Sequence, residues 1–159
     1  MSGYAIPALS RLNTEANQWN TDLPDMNEAR EFHSAIVIDI FLFVLGGWQN
    51  YRQLGSIEFF ELLTGSEWTP KIEDAEIVKR QSASVLVYGR DQIAVFGGVK
   101  VLKQNKVTKA YPLDDYILDT LTYEITPIPG KNQDLKFTSQ TQTVKLSNSF
   151  ATVGKVDLS

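Results

Sequence analysis

The sequence predicts an all-β fold built from four-stranded antiparallel blades, and three observations predict it. Apolar, β-branched and aromatic residues gather in runs of about five, as over 34–38, 41–45 and 92–96, with hardly any helical periodicity. Glycine, proline, asparagine and aspartate punctuate those runs at turn positions. Marked residues then recur at a nearly fixed interval: Arg30 and Arg80 stand 50 positions apart, Gly46 and Gly97 51, Trp19 and Trp68 49, Trp68 and Tyr123 55. A self-similar unit of about fifty residues with four short strands is the signature of a β-propeller blade.

In chain order, Tyr4-Ala5-Ile6 and Ala8-Leu9 predict a short strand that Pro7 restricts to an edge or a bulge. The polar stretch 12–17 predicts a turn ahead of Gln18-Trp19-Asn20, and Leu23-Pro24-Asp25 closes this unit. Strands follow over 34–38 and 41–45. Both central residues of a two-residue hairpin turn often need positive φ, which Asp39 tolerates and Ile40 does not, so a longer or more ordinary turn is expected. Residues 48–55 read as a loop, 56–62 as a strand, 63–66 as a turn, and 67–69 as a short strand ended by Pro70. The plan then repeats. Strands over 82–88 and 92–96 flank the turn Gly89-Arg90-Asp91, a long polar loop spans 99–112, and strands over 115–119 and 121–125 precede Pro127 and Pro129. A last strand pair, 143–146 and 150–153, surrounds Ser147-Asn148.

These residues resemble the kelch repeat family, whose pattern runs Arg-x-x-His-Ser, an apolar strand, a second strand ending in Gly-Gly, a third strand, and a Trp on the fourth. The first copy supplies Arg30, His33, Ser34, Gly46, Gly47, Glu58, Phe60, Glu61 and Trp68. The second supplies Arg80, Ser84, Gly97, Gly98, Tyr116, Leu118, Asp119 and Tyr123, without the His and with Tyr123 in place of Trp. The resemblance implies a kelch-type propeller segment in which 1–24 is the back half of a blade, 25–70 and 71–130 are full blades, and 131–159 is a front half. That adds up to about three blades, whereas propellers close with about four to eight. The ring is therefore expected to be incomplete: a segment of a longer propeller, or half of a ring of about six blades closed by a homodimer.

The signature residues have physical reasons to be structural. Gly46-Gly47 and Gly97-Gly98 end the inner hairpins, where backbones crowd and positive φ is needed. Trp19, Trp68 and Tyr123 are expected to wedge between blades, each burying on the order of 200 Å². His33, the single histidine, is expected to hydrogen-bond within its blade, because a metal site needs clustered ligands that the sequence lacks.

Composition narrows the function. A net charge of −4 gives no basic excess for nucleic acid, and the most apolar run, 35–48, is too short to span a bilayer and contains Asp39. No nucleic-acid or membrane partner is expected. The chain has no cysteine and no Asn-x-Ser/Thr sequon, which fits a reducing, cytoplasmic address and removes thiol chemistry and disulfides. The N-terminus has neither the basic nor the apolar region of a signal peptide. No cofactor is expected and no catalytic arrangement stands out. The copper oxidases that the kelch scaffold also resembles need a Tyr–Cys cofactor, and Asp114, Asp115 and Asp119 form the only close carboxylate set.

Function is therefore expected in the loops that the repeat does not specify, with another protein as the partner. The blade-to-blade and second-to-third-strand loops share one face in a propeller, by the resemblance, and loops on rigid scaffolds carry binding. Trp48, Tyr51 and Arg52 are the anchor types of binding hot spots, although Trp48 equally suits packing beside the glycine pair. Lys100, Lys103, Lys106 and Lys109 would suit an acidic partner, or form a solvated loop, and Glu73, Asp74 and Glu76 would pair with them between chains. The leading expectation is a non-catalytic protein-interaction module. The alternatives are a structural subunit forming a ring with another chain, or a remnant of a kelch-scaffold metal oxidase.

Overall fold

The computed structural model describes the backbone of residues 5–104, 107–112, 114–128, 136–137, 142–145, 150–153 and 156–157, and the side chains of 5–101 and 114–128. It is almost entirely β. Strands β1 (Arg11–Asn13) and β2 (Gln18–Asn20) form a hairpin in which Leu12 faces Trp19. The first blade comprises β3 (Ser34–Ile38) and β4 (Phe41–Leu45), a short hairpin of β5 (Trp48–Gln49) and β6 (Arg52–Gln53), and then β7 (Ile57–Glu61) and β8 (Thr69–Ile72). Its sheet runs β3-β4-β7-β8, antiparallel throughout.

A 3₁₀ turn over Glu76–Val78 leads to the second blade. This contains β9 (Ser84–Val87), β10 (Gln92–Phe96), the hairpin β11 (Val99–Gln104) and β12 (Val107–Pro112), then β13 (Tyr116–Asp119) and β14 (Ile125–Pro127). Its sheet has the same order, β9-β10-β13-β14. After it come β15 (Lys136–Phe137), β16 (Gln142–Lys145), β17 (Phe150–Val153) and β18 (Val156–Asp157), with β16 paired to β17 and β15 to β18. Strand β9 lies beside β3 on one side and β16 on the other. The innermost strands thus follow one another around an axis, as in a propeller, but the described residues do not close a ring. Among them no helix is long and apolar enough to cross a membrane.

Period-two alternation explains the core. Phe43, Leu45 and Ile57 from one face of the first blade meet Ile93, Val95, Tyr116 and Leu118 from the opposite face of the second. Each such side chain, taken fully out of water, contributes about 1.5–3 kcal/mol, and Ile57, Ile93, Tyr116 and Leu118 are fully buried. The other face of the first blade buries Val44, Phe60 and Trp68 under Met26, with Leu9 and Leu23 alongside. Backbone conformation repeats with the sequence. Phe32 and Ser82 adopt φ 55° and 56°, Asp39 and Gly89 53° and 74°, Gly46 and Gly97 61° and 62°.

Several expected elements differ. The turn at Asp39-Ile40 is a two-residue one after all, since Ile38 pairs with Phe41. Only Asp39 takes positive φ, so Ile40 escapes the steric penalty. Pro70 sits within β8 rather than ending a strand over 67–69; β8 is the outer edge, where a missing N–H has no ladder partner to lose. The fourth strand of the second blade is Ile125–Pro127, displaced from 121–125 because Asp119 Oδ1 accepts the Leu121 and Thr122 amides and turns the chain there. Residues 5–10 are irregular, and the first hairpin forms around the polar stretch instead, with Asn13 Oδ1 accepting the Glu15 and Ala16 amides in its turn. Trp19 does not wedge between blades. It is 66% exposed, because nothing described packs on that side of β2.

Candidate partner-binding face

The glycine pairs lock neighbouring blades. A Cβ on Gly46 would lie 2.7 Å from the Arg80 carbonyl oxygen and 2.8 Å from that of Val78, and the Gly47 amide donates to the Arg80 carbonyl at 2.8 Å. Ser34 Oγ donates to the Ala83 carbonyl at 2.8 Å and the Ser82 amide to that of Phe32 at 2.8 Å.

Beneath this seam lies a buried arginine in each blade. Arg30 Nη1 donates to the Gly46 carbonyl at 2.8 Å, while Nη2 reaches Glu58 Oε1 at 2.6 Å and Ser56 Oγ at 3.1 Å. The second oxygen of Glu58 accepts the backbone and side-chain amides of Asn27, both at 2.9 Å. Arg80 Nη1 likewise donates to the Gly97 carbonyl at 2.7 Å. At the position of Glu58, however, the second blade carries Tyr116: Val44 pairs with Glu58 as Val95 pairs with Tyr116. Arg80 therefore stacks on the Tyr116 ring, 4.8 Å from its centroid, and donates to the carbonyls of Ile77 and Asp114. Asp115 Oδ1 accepts the Gly97 amide at 2.8 Å. Burial pushes the Tyr116 hydroxyl up to about 12, against a smaller opposing pull from Arg80.

The other signature residues are also placed structurally. Trp68 packs on Phe60, with ring centroids 5.4 Å apart, and its Nε1 donates to the Pro24 carbonyl at 2.9 Å. Tyr123 lies against the core between the blades, with Lys71 Nζ of the first blade 5.1 Å from its ring centroid. His33 is half-buried under Gly47, and its Nδ1 has no partner among the described residues. Burial, and then the nearby Arg30 charge, lower its pKa.

At one end the second-to-third-strand connections project as two hairpins, not loops. In the first, Asn50 and Tyr51 form a two-residue turn with φ 47° and 66°, the pattern of a type I′ hairpin. In the second, β11 and β12 pair over six positions from Val99↔Pro112 to Gln104↔Val107, so residues 99–112 are ordered ladder and not an open loop. An exposed ribbon has no buried face, which is why its lysines mimic a loop composition. Gln53 ties the two together: its Nε2 donates to the Val99 carbonyl at 2.7 Å and its Oε1 accepts the Val101 amide at 2.8 Å.

Between the hairpins and the 3₁₀ turn lies a charged cleft of about 370 Å³ lined by Arg52, Gln53, Asp74, Glu76, Lys79 and Lys100. Lys100 pairs with Glu76 inside the chain, so the pairing expected between chains is satisfied locally. Lys79 binds Asp74 at 3.0 Å, and Arg52 binds Glu28 at 3.0 Å. Tyr51 is 76% exposed on its turn. Trp48 is half-buried, and its backbone exchanges hydrogen bonds with Glu31 at 2.8 and 3.0 Å. Lys103 is placed by its backbone in β11, and Lys106 lies outside the described residues. The structure thus brings Tyr51, Arg52 and Lys100 to one end. Gln53, which joins them, carries no local sequence signal, because its partners lie 46 and 48 positions away. Among the described residues no group of three His, Asp or Glu is arranged to hold a metal ion.

Comparison with known proteins agrees with this architecture. The chain is 31% identical over 86 residues to Kelch-like protein 23 of Pongo abelii, a match covering 54% of this chain and 14% of that protein. No protein-family model matches. The four-stranded antiparallel blades and this similarity fit kelch repeats. The chain spans only a small part of the relative's length.

Proposed function

We propose that this protein is a non-catalytic protein-interaction module that binds its partner on the face built by the two projecting hairpins and the charged cleft between them. One observation carries the reading: Gln53 fastens the β5–β6 hairpin to β11, so two connections that need only return the chain form a rigid, raised surface. Pre-organisation of this kind lowers the ordering cost of binding. Tyr51 supports it further. A tyrosine at φ 66° carries a left-handed backbone cost of about 1–2 kcal/mol, which Gly would avoid, yet its ring is displayed to solvent. Arg52 and Lys100, beside Asp74 and Glu76, supply charges of both signs for register.

Affinity capture with wild type and with the double variant Tyr51→Ala/Arg52→Ala tests the proposal, since both side chains are exposed. A partner held by wild type and lost by an equally stable double variant is the expected result; an unchanged set of partners would sink it. A second reading, a structural subunit that completes a ring with another chain, is favoured by one uncovered sheet face in the first blade.

A further inference from the structure

Ala35 and Val37 project from β3 into solvent, with Val37 45% exposed, and Leu42 beside them is half-covered. Their counterparts fifty positions on are Val85 and Val87 of β9, which pack against the shared core formed with Ile38, Phe43 and Leu45 of the first blade. The same face is therefore covered in the second blade and half-open in the first. The cover in the second blade comes from the two inner strands, β3 and β4, of the blade before it. On the first blade only the outer half of that face is covered: Leu9, Leu23 and Met26 lie over Val44, Phe60 and Trp68, and Arg11 Nη1 holds β1 to the Leu62 carbonyl at 2.9 Å. What is missing is one inner strand pair.

The chain carries such a pair at its other end. Strand β16 lies beside β9 as β9 lies beside β3, and β16–β17 is a two-stranded sheet among the described residues. The hairpin β1–β2 is likewise two-stranded. Two inner strands at one end and two outer strands at the other are complementary halves of one blade. We infer that a second copy of this chain seats its β16–β17 pair on the Ala35–Val37–Leu42 face, and that β17 pairs with β1 to complete a shared four-stranded blade. Made twice, this head-to-tail contact closes a two-fold ring of about six blades, within the range that propellers adopt. The inference rests on the ring-subunit reading and specifies its surface.

Light scattering coupled to size exclusion tests it on wild type and on Val37→Lys, with circular dichroism as the folding control. The expected wild-type mass is twice 17.9 kDa, and the exposed Val37→Lys change should return a folded monomer. Because the chain has no cysteine, Val37→Cys also offers a single labelling site, and its thiol should react at least about tenfold more slowly in the dimer than on dilution to monomer. A wild type that stays monomeric at every concentration overturns both this inference and the ring-subunit reading. A dimer indifferent to Val37→Lys, with Val37→Cys labelled equally fast at all concentrations, overturns the inference alone and leaves a ring built on another surface.

Discussion

Arg30 and Arg80 hold equivalent glycine carbonyls, yet their charges are accommodated by different chemistry. Arg30 has Glu58 at 2.6 Å, whereas Arg80 has the face of Tyr116 and three backbone and side-chain acceptors around it. Removing one member of a buried ion pair strands the other, so Glu58→Ala should cost about 3–5 kcal/mol in urea unfolding. Tyr116→Phe should behave oppositely. The Tyr116 hydroxyl is buried without a partner among the described residues, so deleting it should be neutral or stabilise by about 1 kcal/mol. The same variant tests a pH effect. Since folding raises the Tyr116 pKa from 10.0 to about 12, the unfolded chain loses this proton first as pH rises. That contribution to stability is complete below pH 10 and declines from there to about pH 12; Tyr116→Phe should lack the decline. For His33 the sign reverses. Its lowered pKa favours the neutral ring in the fold, so stability is full above its ordinary value of 6.5 and falls as acid protonates the unfolded chain first. His33→Asn should flatten that acid limb in denaturation curves recorded against pH. At this scale the repeat signature was readable, because each arginine and glycine does the same job twice. The swap of Glu58 for Tyr116 was not, since strand register alone makes them equivalent.

Elements that present one face to the core announce themselves in sequence, and those that present none do not. Strands β3, β4, β7 and β10 are legible because Ile38, Phe43, Leu45, Ile57 and Val95 must alternate inward. Hairpins β1–β2 and β11–β12 stand away from it; with Trp19 in water and lysines along 100–109, their composition matches a loop although their backbones pair. The candidate face inherits this difficulty. Tyr51 and Arg52 are recognisable as anchor types, but the clamp that fixes them depends on a contact between distant segments. Gln53→Ala should therefore speed amide exchange at Val101 markedly while leaving the core amide of Val95 protected, measured by native-state hydrogen exchange. Gly46→Ala is the contrasting case. Its methyl group would meet two backbone carbonyls at 2.7 and 2.8 Å from a left-handed backbone, so the loss should exceed the roughly 1–2 kcal/mol conformational penalty alone and lower the thermal midpoint by several degrees.

For the molecule as a whole, the two blades join through unlike faces, the Phe43 side of one against the Ile93 side of the next. A contact of this kind can be repeated around an axis but never satisfied by a blade alone. Arg80 stands at the joint in two capacities. Its side chain holds the Gly97 carbonyl of its own blade, and its backbone carbonyl receives the Gly47 amide of the blade before. A single residue is thus counted in the stability of both units, which makes the boundary near it a poor place to divide the chain. Excising either blade at that point would leave the survivor with an orphaned amide or an unanchored turn. Heated or titrated with urea, the pair should melt in one transition seen alike by Trp68 fluorescence and by far-ultraviolet ellipticity, the behaviour of a two-site cooperative lattice rather than of beads on a string.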